Sequence, residues 1–253
     1  MKKHSKNSFW GLWGAQNRMV GRHRLFWLFP LLAIRLLLPK DWQNPAAVLL
    51  AMVVACEAGI LSMSMAVHEK ENRLMPAFYI AGVKPGKYFL SKLLSGIIPM
   101  LLTGLIVIWF SDPDVLVVRF GKIKWDTVLN GDTQRLLKVS ASSACMYLLA
   151  SGFAMGLACF CSTVSGYSFA GIVLLVLLAG PAVWDAFFPL EAGFGFHPGV
   201  MFYWYLQRPE LLAPPHEISK YYPLAAAVLL LISLLLGLIC AGAMIRGKGG
   251  QPE

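Results

Sequence analysis

Charge is what this sequence has least of. Only 14% of its 253 residues are Asp, Glu, Lys or Arg, where a soluble domain carries about a quarter. Acids are the scarcer sign: 13 Asp and Glu stand against 22 Lys and Arg, a formal net charge of +9. Repeats, low-complexity tracts and Gly/Ser-rich linkers are missing too, so a single domain, 1–253, is expected. The five cysteines, Cys56, Cys145, Cys159, Cys161 and Cys240, all lie in apolar runs, which argues against a disulfide framework. Cys159 and Cys161 form a bare C-x-C with no histidine or carboxylate close by, so they are expected to be packing residues and no metal is expected.

What fills the chain instead is apolar. Hydrophobic residues make up 57%, and the mean hydropathy is +0.62. A bilayer core takes about 20 apolar residues per helix. About six such spans are readable: 25–42, 45–67, 90–110, 139–161, 167–188 and 223–245. The expected fold class is therefore an all-α integral membrane protein, multi-pass in the cell membrane. The N-terminus is not expected to be a signal peptide, because its first apolar run is interrupted by Arg35 and no small-x-small cleavage site follows. Small residues at Gly152, Gly156, Ser233, Gly237 and Ala241 have the spacing of closely packed membrane helices.

Loop charge sets an expected orientation. Lys2, Lys3, Lys6, Arg18, Arg22 and Arg24 precede the first span without an acid, and Lys70, Arg73, Lys84, Lys87 and Lys92 cluster between spans two and three. Arg246 and Lys248 follow the last span. The intervening segments 111–138 and 189–222 are nearly balanced. Basic loops stay on the cytoplasmic side, so both termini are expected there. In a soluble protein the basic excess would suggest nucleic acid. Here it marks contact with anionic membrane lipid, and no nucleic-acid partner is expected. The aromatic-rich outer segment 189–222 is expected to anchor short helices at the interface.

Two further segments are amphipathic. Over 8–24, helical spacing gathers Phe9, Leu12, Trp13, Met19 and Val20 on one face, with Trp10 beside them and Arg18 and Arg22 opposite. That pattern describes a helix lying in the membrane interface. The segment 68–89 opens with the charge cluster His68–Arg73, continues through the apolar Leu74, Met75, Phe78, Tyr79 and Ile80, and turns at Pro85-Gly86. It is too long for a simple turn and too apolar for a solvated loop. A short docking helix with a charged start is expected.

These last residues carry a resemblance. Glu69-Lys70-Glu71-Asn72-Arg73-Leu74, the turn Gly82-Val83 and Lys92 at the opening of span three look like the corresponding segment of the membrane subunits of type-2 ABC exporters. Gly156–Thr163 closing span four, a very short reversal, and Phe188-Pro189-Leu190-Glu191 closing span five are similar to the same family. The resemblance implies a permease subunit of an ATP-driven exporter that moves a hydrophobic or amphipathic peptide, drug or lipid. It implies that 68–89 is a cytoplasmic coupling loop whose Glu69, Glu71, Arg73, Leu74, Phe78, Tyr79 and Lys92 engage a separate ATP-binding subunit. It further implies a second permease subunit, identical or not. ATP and Mg would sit on the partner ATPase, with no cofactor on this chain. The sequence has no G-x-x-x-x-G-K-[S/T] phosphate loop of its own.

Among the charges that fall inside expected spans are Arg35, Glu57 and Asp185. Arg35 and Glu57 each lie about 11 residues, or roughly 16 Å of helix, from the cytoplasmic side, so they are expected to pair; the pair either fixes spans one and two or supplies a polar lining or relay group in the pathway. Asp185 lies near the outer boundary, within reach of water. A membrane-embedded enzyme or a scaffold without transport activity is the alternative. It is disfavoured because His197 and His216 lie across the membrane from Glu69 and Glu71, and no Ser/His/Asp grouping is evident.

Overall fold

The computed structural model describes Gly11, Gly14 and residues 45–97, 132–187, 197–207 and 222–247. Among them every regular element is helical: α1 Pro45–Glu71, α2 Met75–Ile80, α3 over 85–97, α4 Asp132–Phe160, α5 Val164–Phe187, α6 Pro198–Gln207 and α7 Tyr222–Arg246. Four stretches are long and apolar enough to cross a bilayer: Ala51–Glu71, Ala141–Phe160, Val164–Asp185 and Leu224–Arg246. They match the second, fourth, fifth and sixth expected spans. The first expected span with Arg35, the remainder of the third beyond residue 97, and the interfacial residues Phe9, Trp10, Trp13, Arg18 and Arg22 lie outside the described residues. Gly11 and Gly14, within the expected interfacial segment, are both helical.

α1 is the central helix. It packs on α4, α5 and α6, and α4 packs in turn on α7. Small residues allow these approaches. A Cβ on Gly59 would stand 2.8 Å from the Tyr147 carbonyl oxygen of α4. A Cβ on Gly152 would collide with the backbone of Ser233, so the two small-residue stripes foreseen in α4 and α7 touch at this point, whereas Gly237 makes room for Phe89 of α3. The Ser233 hydroxyl donates to the Leu149 carbonyl at 2.8 Å across that seam. Tyr167 of α5 donates to the Ile60 carbonyl of α1 at 2.6 Å, and Tyr147 of α4 to the Leu93 carbonyl of α3 at 2.5 Å. Each hydroxyl is thereby satisfied in an apolar interior, and such interhelical bonds contribute on the order of 1 kcal/mol.

The α4–α5 reversal has a local cause. Thr163 is the N-cap of α5: its Oγ1 accepts from the Gly166 N–H at 3.2 Å, and its carbonyl accepts from the Tyr167 N–H at 3.1 Å. Away from the core, α7 exposes Leu224, Val228, Leu231, Leu235 and Leu238, spaced three and four apart. α5 does the same with Phe169, Ile172, Val173, Val176 and Leu177. Apolar faces of this extent suit contact with lipid rather than water. The chain is a helical membrane protein.

Two expectations change. The cluster His68–Glu71 is not loop: it completes the last turn of α1. Asp185 does not reach water; it is fully buried. The reason is its register, since Leu178, Ala182 and Asp185 share one covered face of α5. The segment expected on the outer side also packs against that helix through α6. Val200, Met201 and Phe202 of α6 are buried, so this short helix belongs to the core in addition to any role at the interface.

Candidate functional site

The site forms where α1 ends, α2 projects and α3 begins. α1 stops in a Schellman motif. The Leu74 N–H reaches back to the Glu69 carbonyl at 2.8 Å, and the Arg73 N–H to the Lys70 carbonyl at 3.0 Å. The residue between must be left-handed, and it is Arg73, with φ 57°. That conformation costs a side-chain-bearing residue about 1–2 kcal/mol. α2 then starts at Met75 with Pro76 in its first turn, where a missing N–H loses nothing. It ends in a second Schellman motif. Val83 N–H bonds the Phe78 carbonyl at 3.0 Å, and Gly82 N–H bonds the Tyr79 carbonyl at 2.9 Å, with Gly82 at φ 67°. The short helix is thus held between two left-handed corners.

Beneath it lies an ion pair. The Glu69 and Lys92 side chains are 1% and 0% exposed, with Nζ 2.6 Å from Oε1. The Tyr88 hydroxyl donates to the other carboxylate oxygen, Oε2, at 2.5 Å, and the Lys92 ammonium lies 5.0 Å from the centre of the Tyr88 ring. Burial, followed by the adjacent Glu69 carboxylate, pushes the Tyr88 phenol well above its usual range, so it remains a donor. Charges taken out of water are stable only when paired and hydrogen-bonded. Here one carboxylate ties the end of α1 to the first two turns of α3. Lys70, next along α1, turns the other way. Its ammonium donates to the carbonyls of Cys159 and Cys161 at 2.7 and 3.0 Å. It thereby caps the C-terminus of α4, where a cation also meets the negative end of the helix dipole.

The expected coupling residues divide into two sets. Glu69 and Lys92 are buried within this chain. Phe78 is half-buried, its ring centroid 5.7 Å from that of Tyr88, so it braces α2 against α3 and is not a free anchor. Glu71, Arg73, Leu74 and Tyr79 are exposed. Tyr79 is 63% exposed and its neighbour Ile80 is 85% exposed, the apolar tip of the element. Glu57 is partly buried in α1, and its expected partner Arg35 lies outside the described residues.

Sequence reasoning passed over Tyr88 and Lys70. A signal for the ion pair was present. Lys92 stands just inside an expected span, and Glu69 lies two residues past the end of the span before it. A lysine at such a position requires a partner. Among the described residues no group of three or more His, Cys, Asp or Glu side chains is placed to hold a metal. Compared with known proteins, the chain matches no protein-family model and no curated protein.

Proposed function

We propose that this chain is the permease subunit of an ATP-driven exporter of the ABC type, working in the cell membrane with a separate ATPase and a second permease subunit. Its cargo is hydrophobic or amphipathic: a peptide, drug or lipid. ATP and Mg belong to the partner, and both termini face the cytoplasm with it. The observation that supports this reading is α2, a short helix with an apolar exposed tip, joined to α1 and α3 by Schellman turns and braced on α3 by the Phe78–Tyr88 contact. An exposed Tyr79–Ile80 pair flanked by Glu71 and Arg73 has the composition of a small protein contact: an apolar centre with orienting charges around it. Displacement of α2 would act on α3 through Phe78 and Tyr88 and on α7, against which α2 packs; α1 would follow through the Glu69 links to Tyr88 and Lys92, and α4 through Lys70 of α1. One contact surface would then move several membrane helices together.

The test is purification of the tagged chain from its native membrane. A partner carrying a G-x-x-x-x-G-K-[S/T] loop is expected to copurify with ATPase activity. Ile80→Asp and Tyr79→Ala should release it while helix content and melting stay unchanged, because both side chains are exposed. Absence of any ATP-binding partner, or retention of it by both variants, overturns the assignment.

A further inference from the structure

Beside the docking helix, where α3 begins and α7 ends, the surface opens into a groove of about 960 Å³. Lys84 and Lys87 stand on one side of it and Arg246 on the other. All three are exposed, and among the described residues no carboxylate lines the groove. Its floor is apolar, made by Leu238 and Ile239 of α7, with Gly242 admitting Pro85 close to the helix backbone. The floor does not end at the groove. Leu238 continues along the outer face of α7 into Leu235 and Leu231, all exposed. A three-cation rim therefore stands at the head of an apolar track that runs into the membrane span.

We propose that this groove binds an anionic phospholipid from the leaflet on the side of the 72–84 connection. Its phosphate lies among Lys84, Lys87 and Arg246, and an acyl chain follows Leu238, Leu235 and Leu231. Charge complementarity selects the head: three cations gathered on one rim repel one another, and an anion placed between them relieves that repulsion. The apolar floor selects the tail. A free inorganic phosphate would satisfy the rim and leave Leu238 and Ile239 uncovered, whereas a zwitterionic lipid would cover the floor and neutralise nothing. The site needs only a membrane-embedded chain, so it stands apart from the transport assignment.

The experiment is native mass spectrometry of the full chain in mild detergent, titrated with phosphatidylglycerol or phosphatidylcholine of the same acyl composition. The wild type is expected to retain phosphatidylglycerol and to lose phosphatidylcholine. Each basic residue near an anionic headgroup contributes about fivefold in affinity. Lys84→Gln should therefore weaken retention about fivefold, and the triple variant Lys84→Gln/Lys87→Gln/Arg246→Gln on the order of a hundredfold. Circular dichroism should show unchanged helix content, as all three side chains are exposed. Equal retention of the two lipids, undiminished retention by the triple variant, or displacement of the lipid by excess inorganic phosphate would each overturn the proposal.

Discussion

Neutralising one member of the Glu69–Lys92 pair should destabilise the chain far more than neutralising both. At 2.6 Å the two charges attract by about 6 kcal/mol in a medium of effective dielectric constant near 20. Desolvating each ion costs several kcal/mol, so the pair as a whole adds little net stability. Removing one partner leaves the other charge buried and uncompensated, at a cost of about 3–5 kcal/mol. Glu69→Gln and Lys92→Met should thus each lower the apparent melting temperature by on the order of 10 °C. The double variant should recover most of that loss, because it buries no unpaired charge. Tyr88→Phe removes a donor to a charged acceptor and should cost about 1.5–3 kcal/mol. Fluorescence-detected melting and monodisperse yield in detergent read all four variants. If each single substitution costs under about 1 kcal/mol, or the two losses simply add, the pair is not the buried clamp described here.

The two left-handed corners respond in opposite senses. Arg73→Gly should raise melting stability by up to about 1–2 kcal/mol because glycine takes φ 57° without strain, whereas Gly82→Ala should lower it by a similar amount at φ 67°. Gly152→Val should sharply reduce folded yield on size-exclusion chromatography, since its side chain would enter the backbone of Ser233, which cannot shift cheaply. Lys70→Met should cost about 1.5–3 kcal/mol in the same melting assay by removing the charged donor from the Cys159 and Cys161 carbonyls.

How far the sequence reaches depends on whether a feature is one-dimensional. Span length and hydropathy place the apolar stretches of α1, α4, α5 and α7 well because each is a continuous property of its own segment. The small residues of α4 and α7 announce close packing for the same reason. Asp185 fails that treatment, since hydropathy gives depth along a helix but not which face is covered. The charges after Val67 also mislead. A dense polar cluster reads as the charged start of a connecting segment beyond the span, yet it is the last turn of α1 with one face buried, and Glu69 is on that face while His68 and Glu71 are not. Lys70 and the carbonyls it caps are separated by 89 and 91 residues, and no local pattern joins them. Phe78 was legible as an anchor but not as an internal one, because sequence does not distinguish an aromatic saved for a partner from one used at home.

This inward use of Phe78 changes what α2 can be. A helix of six residues has little stability alone. Its orientation must come from what holds its ends and its inner face. Both ends are closed by Schellman turns, Met75 is buried and Phe78 rests on Tyr88. Tyr88 in turn holds the carboxylate that Lys92 neutralises, and the neighbouring Lys70 reaches α4. The exposed pair Tyr79–Ile80 is therefore presented by a preorganised support rather than by a flexible loop. Little ordering entropy remains to be lost when a partner binds, which lets a small surface bind usefully. In the proposed coupling role, a push at the tip would pass through these buried contacts to α3 and α1, and through Lys70 to α4. In the proposed docking, affinity and transmission would therefore depend on the same buried contacts, which lie behind the exposed Tyr79–Ile80 surface rather than in it.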